Sequence, residues 1–173
     1  MKKLVLSIVS AAALIGVAAC SREEQPAAPN ANDGAANATS ATAGNVAEVM
    51  RTRHDNYERM GRAMKGISTQ LKSDSPAIAE IQQHSGVIAG FAPQVPNWFP
   101  AGTGPEAGRT RAKTEIWSDP QGFSAAVQRY QQAAAQFDSA ARAGDVAAMR
   151  AALPALGSSC SNCHDKYRGP EID

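Results

Sequence analysis

Cys160, Cys163 and His164 are the residues of this chain best placed to do chemistry together, in the run Cys160-Ser161-Asn162-Cys163-His164. Two thiols three residues apart share one face of a helix. So spaced, they can add to the two vinyl groups of a haem, with the adjacent His beneath the iron as its axial ligand. Three other chemistries compete for the same residues. A redox dithiol sits where a strand meets a helix N-terminus, whose dipole lowers the thiol pKa, whereas this motif lies near the end of a helical pattern with no strand before it. A zinc site needs four ligands, and only His54 and His84 remain to supplement the cluster, at unsuitable spacing. A structural disulfide across one helical turn would constrain little. The expected cofactor is therefore one covalent haem c.

The elements that must position this motif are legible as four apolar stripes. Val46, Val49, Met50, Arg53, Tyr57, Met60, Met64, Ile67 and Leu71 recur every three or four residues. They predict one helix of about 27 residues, opened by Asn45 as cap with Glu48 completing a capping box. Ser75-Pro76 is expected to start a second helix carrying Ile78, Ile81, Ile88 and Phe91 inward. Pro93, Pro96, Pro100, Pro105, Gly102, Gly104 and Gly108 then mark residues 92–119 as a long crossover loop, with room for a short helix between Arg109 and Trp117. Asp119-Pro120 restarts a helix whose buried face is Phe123, Val127, Tyr130, Ala134, Phe137 and Ala141. Gly144 ends it and Asp145 caps the last helix. That helix reads Val146, Met149, Leu153, Leu156, Cys160, Cys163, His164 and Tyr167, with a kink or short break expected at Pro154. The fold class is all-α: an antiparallel four-helix bundle with one longer crossover loop and covalent haem c.

The polar residues on or near these stripes have ordinary readings beside functional ones. Met60 and Met64 are expected to pack in the core, although a slipped register would present Met60 to the iron. His54 lies at the edge of the first stripe, where a solvated position is expected, and nothing singles out His84. Trp117 and Tyr130 read as packing residues. Arg53 falls on the apolar stripe itself, where a charge needs a partner. Either a haem propionate supplies it or the guanidinium snorkels to the end of the bundle.

The N-terminus describes where the bundle goes. Lys2 and Lys3 precede an apolar stretch from Leu4 to Ala19, too short to span a membrane comfortably, so residues 1–19 read as a signal peptide. Val17-Ala18-Ala19-Cys20 resembles a bacterial lipobox, which makes Cys20 the expected lipidation site. Residues 21–45 contain no Val, Ile, Leu, Met, Phe, Trp, Tyr or Cys, so residues 20–45 are expected to be a lipid-anchored flexible linker, roughly 25–30 Å end to end. Residues 46–173 form the folded domain. Of 17 basic and 16 acidic residues, removal of 1–19 takes two lysines and no acids, leaving 15 against 16. Such a balance offers no basic face for nucleic acid and no polybasic membrane patch. Membrane contact is expected through the lipid anchor only. An export signal agrees with covalent haem, which bacteria attach outside the cytoplasm, and points to the periplasm.

Over residues 46–169 the chain resembles the class II cytochromes c, specifically the cytochrome c′ family. The resemblance rests on the C-terminal motif continued as Asp165-Lys166-Tyr167-Arg168, on the segment Thr110 to Asp119, on the loop Trp98-Phe99-Pro100-Ala101-Gly102-Thr103, and on the Arg53-x-x-x-Tyr57 pattern in the first helix. It implies that His164 is the proximal ligand, that Tyr57 covers the distal face, and that Arg168 sets a positive charge beside His164. It also implies a five-coordinate, high-spin haem that binds nitric oxide or carbon monoxide and protects against nitric oxide; no general acid–base pair stands beside the motif, so no enzymatic activity is expected. A low-spin branch of the family carries Met where this chain has Tyr57, so a low-spin electron carrier with a sixth protein ligand is the alternative. The redox partner is not specified. Homodimers form in the family through the first two helices, where Ala63 and Gly66 would permit close approach.

Overall fold

The computed structural model describes the backbone of residues 31–171 and the side chains of residues 44–171; the signal segment and Cys20 lie outside the described residues. Among the described residues five helices follow one another: α1 (Ala31–Lys72), α2 (Ile78–Phe91), α3 (Glu115–Ser118), α4 (Pro120–Arg142) and α5 (Val146–Tyr167). Two 3₁₀ segments, Ala92–Trp98 and Pro105–Ala107, punctuate the crossover between α2 and α3. α1 packs on α2, α2 on α4, α4 on α5, and α5 closes back on α1. This is the antiparallel four-helix bundle that the stripes imply. Among the described residues the only β pairing is an isolated bridge between Ala112 and Arg168.

The buried face of α4 is as its periodicity predicts, with Phe123, Val127, Tyr130, Ala134, Phe137 and Ala141 all buried. They meet Ile67 of α1, Ile81 and Ile88 of α2, and Met149 and Leu156 of α5. The α4–α5 turn also follows its sequence. Gly144 takes φ 68°, and the Asp145 N–H donates to the Ala140 carbonyl at 3.1 Å, closing α4 as a Schellman motif. The Asp145 carboxylate then accepts the Ala148 N–H at 2.9 Å and caps α5.

Four boundaries differ from expectation. α1 begins at Ala31 and runs through Asn45, so Asn45 is no cap and residues 31–45 are helical in backbone. The segment from Ala31 to Asn45 has no proline, and six of its residues are Ala, the strongest helix former, although Gly34 and Gly44 disfavour a helix. α2 begins at Ile78, not at Ser75-Pro76, because the Gln70 side chain accepts the Ala77 N–H at 3.0 Å and holds the turn open two residues longer. The short helix of the crossover is confined to Glu115–Ser118. α5 continues through Pro154 without a break. Proline removes one hydrogen bond and crowds the carbonyl of residue 150, and Met149 and Leu156, both fully buried, pack the helix into the core on either side so that it does not break.

Phe137 is 1% exposed at the centre of the bundle. Phe137→Ala is expected to lower unfolding free energy by about 3–5 kcal/mol. Urea denaturation should show this loss, while Gln136→Ala on the exposed face stays within about 0.5 kcal/mol of the parent.

Candidate functional site

Cys160, Cys163 and His164 occupy the last two turns of α5, half-buried on its inward side. Both thiols are free. Burial raises the pKa of each, and at Cys163 the neighbouring Cys160 adds to this while Arg129 of α4 opposes it. The thiols are therefore protonated at neutral pH, unlike those of a redox dithiol at a helix N-terminus. Burial also lowers the pKa of His164, followed by the charges of Arg168 and Arg111, with Asp165 opposing. Its imidazole is neutral at pH 7, the form that ligates metal.

The C-terminal end of α5 is fastened from two directions. Asp119, the cap of α4, accepts the Gly122 N–H at 3.0 Å and the Tyr167 hydroxyl at 3.0 Å, and pairs with Lys166. A Cβ on Gly122 would fall within 2.7 Å of the Tyr167 hydroxyl, so the clamp requires glycine there. From the crossover, the Lys113 N–H donates to the Tyr167 carbonyl at 3.0 Å and the Gly169 N–H to the Arg111 carbonyl at 2.6 Å. This pairing ends α5 at Tyr167. Arg168 therefore does not share the helix face of His164 as a spacing of four suggests. It adopts extended backbone beyond the helix with an exposed side chain, yet its charge still reaches His164.

Opposite the motif stands Tyr57 of α1. Its pKa is raised by burial first, then by the charge of Cys163, with smaller contributions of the same sign from Tyr130 and Cys160 and an opposing one from Arg53. Tyr57 thus lies within electrostatic reach of both cysteines. Its ring meets Trp98 edge-on at 5.3 Å between centroids and Phe99 at 6.3 Å. Met60 is also at the core, but its sulfur lies 4.0 Å from the Tyr130 hydroxyl, which donates to the Ile88 carbonyl at 2.9 Å. His54 is exposed. His84 lies against Gly66, where a Cβ would come within 2.3 Å of its Nε2.

Arg53 neither snorkels nor lacks partners. It is 4% exposed and donates to the Trp98 carbonyl (3.2 Å), the Thr103 hydroxyl (3.2 Å), the Thr103 carbonyl (2.9 Å) and the Thr110 hydroxyl (3.1 Å). Its guanidinium also lies over the Phe99 ring at 4.8 Å. Sequence reasoning identified the need for a partner but not these acceptors, which come from a loop 45 to 57 residues away. Phe99, Thr103 and Thr110 are the site residues it missed. Their only signal was the loop's overall likeness to a known family. A cavity of about 370 Å³ between α4 and the crossover, walled by Phe99, Trp117 and Phe123, contains neither the thiols nor the imidazole.

Two half-buried thiols one helical turn apart, a neutral imidazole next to them and an aromatic wall opposite fit a covalently held haem. An all-helical bundle with Cys-x-x-Cys-His in its last helix defines the class of helical c-type haem proteins. The family model described as Cytochrome C′ matches residues 48–168. Cytochrome c′ of Rhodospirillum rubrum is 35% identical over 130 residues, 75% of this chain and 88% of that protein. Among solved structures, a cytochrome c′ with an unusual ligand-controlled dimer dissociation superposes with TM-score 0.66 at 27% identity, over 71% of this chain and 95% of that one. A nitric oxide complex of a mutant cytochrome c prime from Alcaligenes xylosoxidans does so with TM-score 0.65 at 28% identity, over 73% and 97%. The chain belongs to the cytochrome c′ family, and its cofactor is one covalent haem c.

Arg53→Met, which keeps the bulk but none of the four donors, is expected to destabilise the protein by about 2–4 kcal/mol by leaving buried acceptors unpaired, measurable by urea denaturation. The Asp119 carboxyl is held below its ordinary value by the Lys166 contact first, then by the Gly122 N–H and the Tyr167 hydroxyl. A lowered folded pKa adds stability that is complete above the ordinary value of 3.8 and vanishes as pH falls through the lower folded one. Asp119→Asn should lower the melting temperature at pH 7 and make its decline below pH 4 shallower.

Proposed function

We propose that this chain is an exported haem protein whose iron is five-coordinate and high-spin, and whose function is to bind a gaseous ligand, nitric oxide or carbon monoxide. Cys160 and Cys163 hold the haem through thioethers and His164 is the proximal ligand. The haem supplies an iron with one open position; the chain supplies the attachment, the neutral imidazole and a partly closed space opposite it. The observation that carries this reading is the identity of the α1 side chain facing the cysteines. It is Tyr57, a neutral phenol raised further from ionisation by burial, and not a thioether. Met60, the side chain able to serve instead, has its sulfur against Tyr130.

Arg168 and Arg111 add positive charge near the proximal imidazole, which favours the reduced, less positively charged iron only weakly because Arg168 is exposed. Arg53 reads as a support for the crossover, with a propionate as at most an additional acceptor. The nitric oxide complex of the Alcaligenes xylosoxidans relative supports the ligand class, and the dimer of another relative supports pairing of two copies. Of the small α1 residues expected to permit close approach, neither is fully exposed. Ala63 is buried in its own bundle and Gly66 is covered by His84. The same reading places the protein in the periplasm, anchored through lipidated Cys20. No described helix is long and apolar enough to cross a membrane.

Expression of the full chain with a cytochrome c maturation system should yield covalent haem with broad high-spin bands that shift on addition of nitric oxide. Sharp low-spin bands indifferent to the gas would instead establish an electron carrier with a sixth protein ligand. Cys163→Ser should retain haem through one thioether; two thioethers in that variant would contradict the attachment.

A further inference from the structure

The chain beyond α5 is bound to the crossover through Arg111 in both directions. The Gly169 N–H donates to the Arg111 carbonyl at 2.6 Å, and the Arg111 Nε–H donates back to the Gly169 carbonyl at 3.1 Å. Arg111 also pairs with Glu171 through Nη1 at 3.3 Å. The same stretch closes on the Cys160–His164 motif. The Arg168 N–H donates to the His164 carbonyl at 2.9 Å, and Arg168 bridges to Ala112. The Arg111 guanidinium is thus fixed just past the C-terminal end of α5, where the helix dipole is negative and a cation is favoured. Its side chain is 29% exposed, against 85% for Glu171. The charges of Arg168 and Arg111 both reach His164, but the Arg168 side chain is exposed, whereas hydrogen bonds hold that of Arg111. An exposed, unheld charge is averaged over many positions and screened by salt; a held, partly buried one acts from one place.

We propose that Arg111 is a positioning residue for the proximal side of the site: its fixed positive charge raises the reduction potential of the iron that His164 ligates, and Glu171 partly offsets it. This rests on His164 as the proximal ligand, but not on whether the sixth position is open. A positive charge near the iron favours its reduced, less positively charged form. The Glu171 carboxylate, seated on the same guanidinium, acts in the opposite sense. Lys113 and Lys166 also lie at this end of the bundle, but they pair with Glu115 and Asp119. On the α5 side, Asp165 opposes the two arginines at His164.

Reduction potentials of the full-length holoprotein and its variants, measured by spectroelectrochemical titration, test this. Arg111→Gln should lower the equilibrium constant for reduction about threefold, or ~28 mV at ~59 mV per tenfold change for one electron. Glu171→Gln, at an exposed position, should raise that constant by a smaller factor. Arg111→Lys keeps the charge and should stay close to the parent potential even where its melting temperature falls. Loosening of the C-terminal segment alone would neither move the two glutamine variants in opposite directions nor spare the lysine variant. The proposal is overturned, with His164 ligation intact, if the glutamine variants do not move in opposite directions or if Arg111→Lys falls as far as Arg111→Gln. A His164→Gly holoprotein with the optical spectrum of the parent would instead overturn His164 as the proximal ligand, and the proposal with it.

Discussion

Helix ends fray, because their last carbonyls have no partner within the helix. The motif of this protein occupies the last two turns of its last helix, so the bundle can hold a cofactor in one orientation only if that end is tied down. The structure does this with bonds reaching α5 from elements far away in sequence. Asp119 gathers Gly122, Tyr167 and Lys166 at the α4–α5 contact, and backbone bonds at Lys113 and Gly169 pair the chain beyond α5 with the crossover. The beginning of α4 and the end of α5 are thereby one unit. At the opposite end of the bundle, Arg150 of α5 donates to the Leu71 and Ser73 carbonyls and closes the end of α1 in the same manner.

The crossover depends on a second buried interaction. It is irregular and proline-rich, so it has many backbone groups to satisfy. Arg53 takes two carbonyls and two hydroxyls from it. The burial of a charge this deep lowers the guanidinium pKa without neutralising it, and the loop's acceptors make that burial tolerable. Phe99 follows from this arrangement, lying under the guanidinium and touching Tyr57, Trp117 and Phe123. The aromatic contacts continue through Phe123 to Tyr167, which links the Tyr57 side of the bundle to the end of α5 through direct packing.

These supports place the Cys-x-x-Cys spacing in an environment that suits covalent attachment better than thiol redox chemistry. A low thiol pKa needs positive potential, as at a helix N-terminus. At the end of α5 the helix dipole has the opposite sign, and burial raises both thiols. Arg168 and Arg111, after burial, help to keep the His164 imidazole neutral. The environment suits thiols consumed in a covalent link and an imidazole free to ligate.

Patterns repeated along the chain were legible without a structure, since a period of 3.6 residues and local capping chemistry act within one or two turns. Thus the four stripes, the Asp119 and Asp145 caps, the Gly144 turn and the Cys160–His164 motif followed from the sequence alone. Boundaries decided by competition were not legible. Gln70 moved the start of α2, and α1 runs past Asn45 although Gly44 precedes it, so a capping pattern alone did not set the start. Pro154 did not break α5, because packing at Met149 and Leu156 outweighs one missing bond. The partners of Arg53 and the departure of Arg168 from the face of His164 were decided by tertiary structure. Each depends on which groups from distant segments come within about 3 Å, the reach of a hydrogen bond, and no local pattern encodes that distance.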